Sequence, residues 1–126
     1  MFPIDKYRSV IWLKGGRVYP ELDCFGIINE IRRDLGLAAW PDFAGITNDN
    51  NGLDSAARKM METLEKCDPE EGAGVACYSG SLVTHVAIVL NINGLLYVAE
   101  CNPGKNVTFL PLNRFKRRFL KVEFWR

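Results

Sequence analysis

The chain has 126 residues, 48% of them hydrophobic and 25% charged, which suits a single globular domain over residues 1–126. Sixteen Lys and Arg against fifteen Asp and Glu leave a formal net charge of +1, so no global field points to a nucleic-acid partner. No apolar run is long enough for a bilayer, which argues against membrane insertion, and Asp5, Lys6, Arg8 and Lys14 break up the opening in a way signal peptides do not show.

In chain order, the first clear element lies in "PELDCFGIINEIRRDLGL", where Ile27, Ile28, Ile31 and Leu35 recur at helical spacing and Gly36 supplies a left-handed stop. A helix is expected over about residues 24–35. Residues 38–52, with Pro41, Gly45 and Gly52, read as a long loop. Part of it, "TNDNNGLDSAAR", imitates a calcium-binding loop, but Thr47 holds the first position and Arg58 the twelfth, where a bidentate Glu is required. A second helix is expected over about residues 53–67, with Asp54 as N-cap and Ala57, Met60, Met61 and Leu64 inward. The remainder reads as strands at about residues 74–80, 84–92, 95–102, 107–112 and 121–126. Helices first and strands second predict an α+β domain, its N-terminal helices packed on a roughly five-stranded antiparallel sheet.

Cys24 stands at the expected start of the first helix, directly after Asp23. Unpaired N–H groups and the positive end of the helix dipole favour a thiolate there, whereas a cysteine elsewhere is commonly a small hydrophobe. Cys67, Cys77 and Cys101 lie far from it and from one another in sequence, in no metal-binding spacing, so free thiols are expected and neither a metal nor a cofactor. A nucleophile needs a base, and His85 is the sole histidine.

Alternation along "THVAIVLNI" puts His85, Ala87 and Val89 on one face of a strand. Asn93-Gly94 after it signals a two-residue type I′ hairpin. That register sets Ile92 against Leu95, Ala87 against Glu100 and His85 against Asn102, with Glu100 diagonal to the imidazole. Glu100 would then fix the ring, and Asn102 would orient it or help hold an oxyanion. A three-residue loop would instead bring Cys101 opposite His85.

Residues 11–42 resemble the opening of NlpC-type cysteine peptidases, above all the short versions found among phage tail-assembly genes. The matching features are Trp12, Gly15-Gly16, Asp23-Cys24-Phe25-Gly26 and Trp40-Pro41-Asp42, and the final "FWR" is similar as well. "THVAIVLNINGLLYVAECN" resembles the His-strand of that superfamily, and "AECN" is similar to the Glu-x-Asn of CHAP amidases. The resemblance implies a papain-like fold and hydrolysis of an amide in peptidoglycan stem peptides, with Cys24 as nucleophile and His85 as base. It gives Glu100 the third role through the CHAP likeness, and places Asp23 and Trp12 among the orienting or oxyanion groups. Trp12 stands where the family commonly has Tyr, a His usual at the third position is missing, and "GAGVAC" replaces the usual Gly-Asp. Those departures favour the alternative of an inactive structural piece of a phage tail tip, and acyl transfer on the same scaffold is a further alternative.

Without a signal peptide, such a protein is expected to be made in the cytoplasm and to reach the wall through a virion, lysis or a dedicated secretion machine, with other tail proteins as partners, or else to act inside the cell. The basic tail "NRFKRRFLKVEFWR" is expected to be the solvated face of a turn and last strand, with contact to an anionic partner as the sharper alternative.

Overall fold

A computed structural model describes residues 2–126. Helix α1, Gly26–Asp34, buries Ile27, Ile28 and Ile31 on its apolar stripe. It stops where expected: Gly36 has φ +74°, the Leu37 N–H donates to Arg32 O at 2.8 Å and the Gly36 N–H to Arg33 O at 3.0 Å. Those two bonds satisfy the last carbonyls in the Schellman pattern.

Two expectations for the second helix are corrected. Helix α2 is Gly52–Thr63, and Lys66–Cys67 is a strand, β4, paired with the last strand. Glu65 exchanges both backbone hydrogen bonds with Arg126 at 2.8 Å. Pairing at the end of a sheet thus overrides the helical propensity of Leu64, Glu65 and Lys66. Asp54 is not the N-cap. It sits inside the helix, and its Oδ1 accepts the Val83 N–H at 2.8 Å, tying α2 to a strand of the sheet.

The five expected strands all form: β5 Gly74–Ser79, β6 Leu82–Ile92, β7 Leu95–Asn102, β8 Asn106–Pro111 and β9 Lys121–Trp125. With β4 they make a six-stranded antiparallel sheet in the order β4-β9-β5-β6-β7-β8. Asn93 (φ 54°) and Gly94 (φ 87°) close the β6–β7 hairpin, and Ile92 pairs with Leu95, so the two-residue register holds and the three-residue alternative falls.

The protein is an α+β fold with few helices and a large antiparallel sheet. One sheet face, with Ile88, Leu90 and Ala99, packs on α1 and α2. The other, with Val75, Ala87, Val89 and Val98, is covered by Phe115 of a short helix, α3 Leu112–Lys116, which the strand pattern did not foreshadow. Before α1, the short strands β1 Ile11–Trp12, β2 Arg17–Val18 and β3 Glu21–Leu22 form a small separate sheet. Among the described residues, no helix is long and apolar enough to cross a membrane.

Candidate active site

Asp23 builds the turn that carries Cys24. Its backbone oxygen accepts the Ile27 N–H at 3.1 Å, and its Oδ1 accepts those of Phe25 at 3.0 Å and Gly26 at 2.8 Å. This is N-cap bonding, so Cys24 occupies the first turn ahead of the regular helix. Among the described residues, the Cys24 N–H has no acceptor.

The carboxylate of Asp23 is anchored from the other side by Arg17, whose Nη1 lies 2.8 Å from both oxygens, with the two side chains 8% and 10% exposed. Arg17 also reaches Asp42 O at 2.6 Å and Ile46 O at 2.8 Å, which pins the loop after α1 beside the helix start. The backbones are tightly stacked here: a Cβ on Gly26 would stand 2.2 Å from Gly16 O. Asp23 therefore positions Cys24. Its oxygens are acceptors already in use, so it has no means of holding an oxyanion.

His85 and Glu100 meet as expected, with Nε2 2.9 Å from Oε1. The backbone pairing of β6 and β7 runs from Ile92↔Leu95 only to Ile88↔Ala99, so the expected Ala87–Glu100 and His85–Asn102 ladder pairs are absent. Side chains make the link instead. Asn102 Nδ2 donates to the same Oε1 at 2.9 Å, so Asn102 orients the carboxylate rather than the ring. Arg118 donates to Oε2. Its neighbour Phe119 stacks on the imidazole, with ring centroids 6.4 Å apart and planes 19° from parallel.

Burial pushes the Glu100 carboxyl up, but its hydrogen bonds from His85, Arg118 and Asn102 more than reverse this and hold it at about 2. An ionised carboxylate only accepts, so His85 Nε2 carries the proton and Nδ1 is the nitrogen left for a second partner. Cys24 is a neighbour of the ring, with no hydrogen bond joining the two among the described residues. Burial disfavours the charged ring, yet Cys24 and Glu100 outweigh it and raise His85 to about 9. Hydrogen bonds thus link His85, Glu100 and Arg118, with Cys24 beside the ring.

Cys24 lines a cleft of about 270 Å³ together with Trp12, Lys14, Ile46, Thr47 and Asn48, and His85 is not part of that lining. Trp12 lines the same cleft, and its backbone N–H is held by Asn106 Oδ1 at 2.9 Å. An apolar cavity of about 50 Å³ among Trp40, Met60 and Trp125 has neither a nucleophile nor a base in its lining. All four cysteines are free thiols. Cys77 and Cys101 are fully buried; burial pushes both up, Cys101 to about 12. The Cys101 thiol donates to Leu22 O at 3.3 Å. Among the described residues, no group of three or more His, Cys, Asp or Glu is placed to hold a metal ion.

Three contributors escaped the sequence. Arg17 gave no signal beyond being a basic residue in a hairpin, while Arg118 and Phe119 lay in a tail expected to be solvated. Arg118 is 43% exposed, as that expectation has it, yet its guanidinium also reaches a buried carboxylate. No protein family and no curated protein matches the chain.

Proposed function

We propose that this protein is a papain-like cysteine hydrolase of the NlpC/CHAP type that cleaves an amide bond in peptidoglycan stem peptides, as a phage tail-associated wall hydrolase. The observation that supports the chemistry is the hydrogen-bonded pair of His85 and buried Glu100 with Cys24, which lines a cleft, as the ring's neighbour. The substrate class rests on the resemblance of the Asp23-Cys24-Phe25-Gly26 and Thr84-His85-Val86-Ala87 segments to that superfamily.

In this mechanism the Cys24 thiolate attacks the amide carbonyl carbon while His85 holds the proton as an imidazolium. The carbonyl electrons move onto oxygen, which the unpaired Cys24 N–H faces as an oxyanion donor. Collapse of the tetrahedral intermediate breaks the C–N bond, and His85 gives its proton to the departing amine. A water, deprotonated by His85, then attacks the thioester, releasing a carboxylate and restoring the thiol. Glu100 keeps Nε2–H in place, so that Nδ1 faces sulfur throughout.

Incubating the wild type and Cys24→Ala with purified peptidoglycan, and reading products by mass spectrometry, tests the proposal. Release of free stem-peptide termini by the wild type, and none above background by the variant, is expected. Equal turnover by the variant, or no cleavage by either, overturns it. Products joined to an added amine would identify acyl transfer instead.

A further inference from the structure

Glu100 has two oxygens, and they are used differently. Oε1 takes His85 and Asn102, which belong to the strands carrying the site, while Oε2 takes Arg118, which follows α3 on the opposite side of the carboxylate. The guanidinium is itself braced, 5.4 Å from the Phe115 ring and 5.2 Å from the Phe119 ring. Phe115 is fully buried in the second core, so this brace is anchored to the body of the fold.

We infer that Arg118 is a positioning residue of this site: by holding Oε2 it stops the Glu100 carboxylate from rotating, keeps it ionised and leaves Oε1 on His85. The inference rests on the hydrolase proposal for its catalytic meaning but not for its electrostatics. Rotation about the last bond of a glutamate is otherwise soft, because terminal torsions onto a planar group are broad. A charge-assisted bond to one oxygen removes that freedom. The titratable groups facing the pair are Cys24 at the start of α1, Cys77 on β5 and Arg118 itself.

His85 is the sole histidine, so its ring signals report on the pair without any substrate. In Arg118→Ala, an NMR titration of those signals should show Glu100 taking its proton about one to two pH units higher than in the wild type. Arg118→Lys, which keeps the charge but not the planar fork, should restore part of that shift. On a cleavable substrate, Arg118→Ala should lower kcat about ten-fold or more with little change in KM. An unmoved titration in Arg118→Ala overturns the inference, as does a raised KM with kcat intact, which would make Arg118 a substrate contact. Absence of turnover in the wild type would remove the hydrolase proposal alone, since the titration still decides the role of Arg118.

Discussion

Glu100 accepts from His85, Asn102 and Arg118 although its side chain is only 1% exposed. A carboxylate taken that far from water is tolerated only when it is fully paired, and its partners then depend on it in turn. Glu100→Gln keeps the shape but removes the charge that supports the imidazolium, so His85 should fall by more than about one pH unit, read by NMR. Activity on a cleavable substrate should drop on the order of 10²-fold or more. The pair also sets a pH window for stability. His85 is raised above its ordinary 6.5, so its contribution is complete below that value and is lost as pH rises through about 9. Glu100 is lowered from 4.5, so its contribution is complete above that value and is lost as pH falls towards about 2. Urea midpoints should therefore be highest between the two ordinary values and decline on both sides, and Glu100→Gln should flatten both declines. Asp23 is another buried charge. Asp23→Ala strands Arg17 and uncaps α1, at a cost of about 3–5 kcal/mol in urea unfolding. Cys24, His85 and Glu100 could be found in the sequence because each stands in a local pattern, a helix start or a strand beside a turn. Arg17 and Arg118 could not, since what matters about them is a partner elsewhere in the chain.

Among the elements, the start of α1 and the β6–β7 turn both depend on glycine, for different reasons. Gly94 needs φ 87° but has open space around it, whereas Gly26 has ordinary φ and no space, its missing Cβ falling 2.2 Å from a backbone oxygen. Gly94→Ala should cost about 1 kcal/mol through turn strain. Gly26→Ala must push β2 and the Cys24 turn apart, costing about 1–3 kcal/mol and also depressing activity. Thermal unfolding of the two variants, with peptidoglycan cleavage measured alongside, separates the effects. The β6–β7 hairpin could be read directly because Asn-Gly specifies its own geometry. The end of α2 could not. Leu64 to Cys67 continue a helical pattern locally, and only the presence of Phe124 and Trp125 alongside turns Lys66–Cys67 into a strand.

At the scale of the whole molecule, the last strand lies inside the sheet, since β9 sits between β4 and β5. Deleting residues 119–126 should therefore abolish cooperative unfolding rather than trim an edge, and it also removes the Phe119 ring from His85. Thiol accessibility offers a second global check. Brief iodoacetamide treatment of the folded protein, followed by mass spectrometry, should modify Cys24 first and the half-buried Cys67, which burial holds up, more slowly. Cys77 and Cys101 should react only after unfolding. Equal labelling of all four would contradict the two-sided packing of the sheet. Periodicity, a helix stop and one turn were enough to determine the α+β class, the five longer strands and the register of the central hairpin beside its turn. All of these follow from preferences expressed within a few residues of chain. The tertiary structure alone decided the insertion of β9, the conversion of Lys66–Cys67 to strand, the burial of Phe115 on α3 and the placing of Arg118 on Glu100. Each of those is a choice between partners distant in sequence, settled by which arrangement buries apolar faces while leaving no buried carboxylate unpaired.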